Sequence, residues 1–337
     1  MHQQNKQQGA ALLIVLLLLA IMVSVAATMS QRLFIQFQRA HHQLDYQQAY
    51  WYSLAVESLA QVAIEQSYKD SDLTTLNQVW ARQEQRYPLE DGQVIGVIYD
   101  RQSCFNLNAF YDLKTSLTDE KPYLYSVWIA LLSELDVEGH QAELVADSLW
   151  DFVDANQRVN RVYGAEDDFY QSMQPSYLTA NTLLVDASEL RAVQGVSAKL
   201  WEKVQPYVCA LPDRQWKLNV NTLKPQQAPL LAALFYPHLG LDNAKSLIEQ
   251  RPYDGWSSLD QLLTEGALSA LDAGLKEKAK PYLSLDSHYF ELDAQIEVQE
   301  SQLRVRSLLH SANKKTVKVV RRRFGGISER SSEHSVN

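Results

Sequence analysis

"GAALLIVLLLLAIMVSVAATMSQRLF" (residues 9–34) is an apolar run that passes into a polar, helix-patterned stretch with no glycine or proline at the junction. From Ala10 to Met29 only Ser24 and Thr28 break the apolar character, and about 20 residues at a rise of 1.5 Å match the roughly 30 Å hydrocarbon core of a bilayer. The run is long enough to span. A cleavable secretory signal is the rival reading, because Lys6 supplies a charged start and Val25-Ala26-Ala27 offers small residues for cleavage. Two features oppose it. The run exceeds the ~7–15 apolar residues of a signal core, and Gln31-Arg32-Leu33-Phe34-Ile35 continues a helix without a breaker.

No glycine or proline occurs between Gly9 and Pro88, so one helix from Ala10 to about Ser67 is expected, on the order of 85 Å long. Past the apolar run, hydrophobic residues recur at three- and four-residue steps, at Leu33, Phe37, Ala40 and Leu44 and again at Tyr52, Val56, Leu59 and Ala63. After the turn-like Glu90-Asp91-Gly92, "QVIGVIY" (93–99) is rich in β-branched residues and reads as a strand. Near the other end "FELDAQIEVQ" (290–299) alternates strictly, with Phe290, Leu292, Ala294, Ile296 and Val298 on one face. That is the pattern of a half-buried strand. "LRVRSLL" and "TVKVVRRRF" follow across turn-prone residues, so a three-stranded antiparallel meander closes the chain before a polar tail from Gly325.

Between these β regions, from about 108 to 286, the patterning is helical, as in "YSVWIALLSEL" and "QAELVADSLWDFV". The expected class is α+β: a long N-terminal helix and an antiparallel sheet, with a large helical domain inserted. The expected segments are 1–9, 10–30, 31–110, an insertion over 111–285 in two modules (111–212 and 213–285), strands over 286–324 and a tail over 325–337. An echo hints at the two modules, since Asn106-Leu107-Asn108 and Asn219-Val220-Asn221 each precede a helical block.

The 337-residue chain carries a net charge of −9, which opposes binding to phosphate backbones through bulk electrostatics. Cys104 and Cys209 are the only cysteines and neither forms a Cys-x-x-Cys pair, which removes a zinc or thioredoxin-like centre. A disulfide between them and two separate buried thiols both stay open, because spacing does not decide pairing.

The densest charge lies in "DFVDANQRVNRVYGAEDDFY" (151–170), which offers Asp151, Asp154 and Asn156, then Glu166, Asp167 and Asp168. These are hard oxygen donors with no cysteine or histidine nearby, so calcium suits them better than zinc or copper. The spacing is not that of an EF-hand, and a solvated acidic loop is the plain alternative. No nucleophile, histidine partner or glycine-rich phosphate loop accompanies them, which leaves catalysis without its parts. "VQGVSAKLWEKVQPYV" and "HLGLDNAKSLIEQRPYDGWSSLDQLL" have the form of helix-hairpin-helix units. Their hairpins, at Gln194-Gly195-Val196-Ser197 and Leu239-Gly240-Leu241-Asp242, sit among acidic residues, so compact packing or protein docking is favoured over phosphate binding.

Gly9 before a hydrophobic helix, behind a short polar leader with Lys6, resembles the processing site of type IV pilins and of the pseudopilins of type II secretion. The resemblance implies cleavage by a prepilin peptidase between Gly9 and Ala10, with methylation of the new terminus. Most members carry glutamate at the fifth mature position, where this sequence has Ile14. A carboxylate there would cost about 2–3 kcal/mol at the bilayer centre unless paired, and the minor pseudopilin K family is the one that characteristically lacks it. "GAEDDFY", "PSYLTAN" and "SELRAVQGV" (within 164–196) are similar to that family's pattern, so the resemblance covers nearly the whole chain.

It implies a pilin-like fold with an inserted α-domain that binds calcium, with Asp154, Asn156, Glu166, Asp167 and Asp168 as the candidate ligands. It also implies a non-enzymatic, single-pass inner-membrane subunit with its head in the periplasm, placed at the pseudopilus tip where fibre assembly starts. The implied partners are the I and J minor pseudopilins and the major pseudopilin, met through Ile14, Leu33, Phe37, Ala40 and Leu44, with no nucleic acid. The alternatives are a membrane-tethered helix-hairpin-helix nucleic-acid receptor and an adhesin-like protein released by signal peptidase.

Overall fold

The computed structural model describes residues 8–82, 85–114 and 121–325. Most of the leader and the tail beyond Gly325 therefore lie outside the described residues. Helix α1 runs unbroken from Gln8 to Asp70, as the absence of breakers allows. Among the described residues, 10–44 of this helix are exposed throughout, and full burial begins at Ala49. From there the face turned to the sheet is Ala49, Ser53, Glu57, Ala60, Ile64 and Ser67, each at most 4 % exposed.

This corrects the expected stripe. Tyr52, Val56 and Ala63 flank the contact and Leu59 is 47 % exposed, because small side chains, not large ones, let a helix backbone approach a sheet closely. Glu57 is tolerated in this seam because Arg322 holds it in a forked pair, Nε to Oε1 at 2.6 Å, and the Ser307 hydroxyl donates to it.

The sheet has five antiparallel strands in the order β1-β2-β7-β8-β9. Its members are β1 (Gln85–Leu89), β2 (Gly92–Asp100), β7 (Tyr289–Val298), β8 (Ser301–His310) and β9 (Lys318–Phe324). The alternation in β7 is realised, with Phe290, Leu292, Ala294, Ile296 and Val298 under α1 and at most 2 % exposed. β1, which contains Pro88, is the element the sequence pattern did not announce. It is an edge strand, the place where a proline's missing donor is tolerated.

β2 and β7 are neighbours, paired from Gly92↔Val298 to Asp100↔Phe290, so everything between Asp100 and Tyr289 is inserted between adjacent strands. The expected boundary at 111 falls late. Phe105–Asn106 (β3) does not join the sheet but pairs in parallel with Val208–Cys209 (β4) inside the insertion. A second two-residue pair, Leu218–Asn219 (β5) with Leu283–Ser284 (β6), closes a second module in the same manner.

The first module holds α2 (Tyr123–Glu134), α3 (Gly139–Val153), α4 (Asp167–Gln171) and α5 (Ala198–Val204). The second holds α6 (Ala228–Leu234), α7 (Leu241–Glu249), α8 (Leu259–Thr264) and α9 (Ala273–Ala279). They share one apolar core that includes Trp128, Trp150, Phe235 and Trp256. A separate core lies between α1 and the sheet.

Each module ends alike: "VSAKLWEKVQPYV" (196–208) and "LDAGLKEKAKPYL" (271–283) both form a capped helix, a 3-10 turn over Pro-Tyr and the closing strand. The Asn-x-Asn phrases open each module. Asn106, Asn108, Asn219 and Asn221 are all fully buried. Asn108 bonds the Leu184 and Leu211 backbones, and Asn221 bonds both backbone groups of Trp256. A buried amide is retained where it satisfies loop backbone that no secondary structure pairs.

Asp100, the last residue of β2, locks the insertion to the sheet. Its buried carboxylate accepts from Gln102 N at 2.7 Å, Ser287 Oγ at 2.6 Å, Thr222 Oγ1 at 2.5 Å and Asn219 Nδ2 at 3.3 Å. Burial holds its pKa above the ordinary carboxylate range, although these donors pull the other way. Replacing Asp100 with Ala is expected to leave these donors unmet and to cost about 2–4 kcal/mol in urea unfolding. A loss below about 0.5 kcal/mol, the size of an ordinary surface change, contradicts the lock.

Candidate metal centre

α3 ends at Val153 with Asp151 in its last turn and Asp154 as its C-cap. Two carboxylates three residues apart share one face of a helix end, and they stand at the negative end of the macrodipole, where negative charge is unfavourable. The chain then loops out through Asn160 and returns at Glu166, the N-cap of α4. One oxygen from each of Asp151, Asp154 and Glu166 lies within 4.8 Å of the others, and all three residues are buried.

The remaining lone pairs are partly spoken for. Asp151 Oδ1 accepts from Asn160 N at 3.0 Å and Asn160 Nδ2 at 2.8 Å. Asp154 Oδ1 accepts from Asn156 N at 2.9 Å, and its Oδ2 accepts from Asn160 Nδ2 at 2.6 Å. Asp151 Oδ2 and both carboxylate oxygens of Glu166 are buried with no hydrogen-bond partner among the described residues. Gly164 makes room for the return, since a Cβ there would lie 1.9 Å from Asp151 Oδ2. Burial, then repulsion by Asp151, Asp154 and Asp167, pushes Glu166 up to about 8. Burial likewise pushes Asp151 up to about 6, against its bonds from Asn160.

Of the residues expected as ligands, Asp154 and Glu166 come together. The other three take different places. Asn156 is exposed and its Oδ1 caps the Arg158 N–H at 2.8 Å. Asp167 Oδ1 accepts from Thr179 N at 2.9 Å and Thr179 Oγ1 at 2.6 Å, which draws its pKa below the usual range. Asp168 is exposed. Asp151 belongs to the cluster, and its signal was available: an acid three residues before Asp154 at the end of an amphipathic helix pattern.

The donor set fits a hard divalent cation. Three buried carboxylate oxygens without donors, in a site of oxygen ligands only, are the arrangement calcium or magnesium satisfies, with calcium preferred by an irregular loop. Bound there, the cation would offset two of the three carboxylate charges and tie α3, the loop and α4 together.

Cys104 and Cys209 are disulfide-bonded and join the start of β3 to the end of β4. Gly195 takes φ +83°, and a Cβ there would meet Leu144 of α3 at 2.9 Å, so this hairpin is pressed onto the core. Ile14, Leu33, Phe37, Ala40 and Leu44 all lie exposed on the projecting part of α1. That helix is apolar and long enough to cross a membrane.

The family described as "Type II secretion system (T2SS), protein K" matches residues 103–213, and a second model of that description matches 218–286. The chain belongs to this family. The two matches coincide with the two modules closed by β3–β4 and β5–β6. Type II secretion system protein K of Klebsiella pneumoniae is 38 % identical over 322 residues, covering 95 % of this chain and 97 % of its own. That of Aeromonas hydrophila is 37 % identical over 318 residues, covering 91 % and 94 %. The GspK-GspI-GspJ complex of the enterotoxigenic Escherichia coli type 2 secretion system contains a chain 39 % identical to this one. The two superpose with a TM-score of 0.80 over 86 % of this chain and 99 % of that one. The fold is accordingly that of a K-type minor pseudopilin, with an inserted helical domain and an apolar N-terminal helix compatible with a membrane anchor.

Proposed function

We propose that this K-type pseudopilin caps the tip of a type II secretion pseudopilus and starts its assembly with I- and J-type minor pseudopilins, without catalysing a reaction. The observation that carries this is the placement of the insertion between adjacent strands β2 and β7. It adds a second apolar core beside the helix–sheet unit and makes a head too broad for the interior of a helical shaft. A subunit with such a head fits at an end, above the major pseudopilin. Ile14 supports the same place, because a subunit without a carboxylate in its apolar helix offers nothing to the terminal ammonium of a neighbour.

The route there begins with prepilin peptidase cutting between Gly9 and Ala10. α1 then anchors the subunit in the inner membrane with the head in the periplasm, the compartment in which the Cys104–Cys209 bond persists. The exposed Leu33, Phe37, Ala40 and Leu44 form the face on which neighbouring pilin helices stack. Calcium is held by Asp151, Asp154 and Glu166 and orders the loop between α3 and α4.

N-terminal sequencing of the membrane-bound protein is expected to begin at Ala10. A terminus at Thr28, on protein free in the periplasm, overturns the anchored reading. Replacing Ile14 with Glu is expected to reduce secretion by giving the subunit a carboxylate that competes for a neighbour's terminal ammonium and disturbs its seating at the end; unchanged secretion and an unchanged end position show that the missing carboxylate does not set the place.

A further inference from the structure

The sheet has two faces, and only one of them is covered by α1. On the other, where the insertion folds back, arginines gather. Arg306 of β8 stands opposite Arg323 of β9, and Leu308 stands opposite Arg321. Both pairs point away from α1, because the intervening Ser307 and Arg322 bond Glu57 on the helix side. Arg101, just past β2, completes a group of four guanidiniums around a cavity of about 160 Å³, well above the ~30 Å³ share of one liquid water. The insertion supplies the opposite wall through Ser188, Trp201 and Gln205.

The charges in this seam do not cancel. Asp186 and Glu291 are the carboxylates lining the cavity, so four cations face two anions. Asp186 is paired with Arg323, and Glu291 lies 3.9 Å from Arg101. Arg321 donates to the Val185 carbonyl, which carries no full charge. Arg306 is left. Its cross-strand neighbour Asp293 is held by Arg304 through bonds of 2.9 and 2.7 Å, and Arg306 Nε is buried without a hydrogen-bond partner among the described residues. Burial, followed by the repulsion of Arg323, draws Arg321 below its usual pKa although Asp186 and Glu291 pull the other way, the direction expected of a guanidinium in a desolvated place.

We propose that this cavity binds a small doubly charged oxyanion, phosphate or a dicarboxylate, clamped between the outer face of the sheet and the inserted domain. Planar guanidinium forks match carboxylate and phosphate oxygens in pairs, and two negative charges balance the excess. The bound anion joins β8 and β9 to the segment around Asp186, a second tie between insertion and sheet beside the one at Asp100. It stands independently of the place of the subunit in a fibre.

The test uses the full chain in non-ionic detergent, at an ionic strength held constant with chloride so that screening does not change. Melting temperature and titration calorimetry are followed against inorganic phosphate in one arm and succinate in another. A saturable rise in melting temperature with heat of binding is expected in at least one arm, and the responding arm identifies the ligand class. Arg306→Gln is expected to weaken that binding about tenfold or more, with Arg306→Lys in between because it keeps the charge and loses the fork. Calorimetry reads affinity directly, so a destabilised variant still reports. Absence of saturable binding in both arms, or an Arg306→Gln variant that binds as tightly as the parent, overturns the proposal.

Discussion

Calcium added to chelator-treated protein is expected to raise the melting temperature by about 5–10 °C once it stands a hundredfold above its dissociation constant, and Glu166→Ala is expected to abolish the rise. The reason is the unmet charge of Asp151, Asp154 and Glu166, whose oxygens converge within 4.8 Å. The same charge sets a pH dependence. The folded-state values of Glu166, about 8, and Asp151, about 6, lie above those of an unfolded chain. The folded state therefore holds more protons, and its stability falls as pH rises between about 4 and 8. A bound cation takes the place of those protons, so calcium should flatten the slope above about pH 6 and lose its effect below about pH 5. The Ala variant carries a further signature: in chelator at pH 8 it should melt higher than the parent, because it removes a buried charge that nothing compensates. A parent protein indifferent to chelator, or a variant that still responds to calcium, contradicts the site.

Loss of the Cys104–Cys209 bond is the second large effect. The two residues lie 105 positions apart, and opening a loop of that length frees the unfolded chain by on the order of 4–5 kcal/mol in the chain-entropy account. The sulfurs are also packed, with Leu211, Tyr289 and Leu308, where the first module meets the sheet. A Cys104→Ala, Cys209→Ala double variant should therefore melt about 10 °C or more below the parent. Hydrogen exchange is expected to speed up first in β3, β4 and the helices of the first module, while β7 and β8 stay protected. Alanine, not serine, keeps the comparison free of a newly buried hydroxyl. A drop of less than about 2 °C would mean that the two strands are held by packing alone.

The sequence carried the large features because they are periodic. The uninterrupted run from Gly9 to Pro88 implied α1, and the two-residue alternation of 290–298 implied β7 with the face that it buries. What stayed hidden was set by partners distant in the chain. The small-residue face of α1, Ala49 to Ser67, contains a glutamate and four small residues, Ala49, Ser53, Ala60 and Ser67, that do not mark a core, and it is chosen by the sheet and by Arg322. The limits of the insertion depend on β2 meeting β7, a contact that no local pattern records. β3 and β4, at two residues each, are too short for any periodicity.

In the candidate metal centre the residue types were legible and the selection was not. Five acids and an amide lie in one stretch, and only the turn at the end of α3 decides that Asp151 faces Asp154 and Glu166. That Asp167 turns to Thr179 depends on a strandless segment twelve residues on. The duplicated Pro-Tyr endings of the two modules were present in the sequence, and they would have sharpened the module boundary that the Asn-x-Asn echo suggested.

Labelling the inserted domain on isolated pseudopili, for instance at exposed Tyr253, and imaging the fibres tests the central claim most directly. The account predicts label at one end of each fibre and nowhere along it. Label distributed along the shaft would show that a head with this insertion can be accommodated inside the filament, and the proposed place at the tip would be wrong.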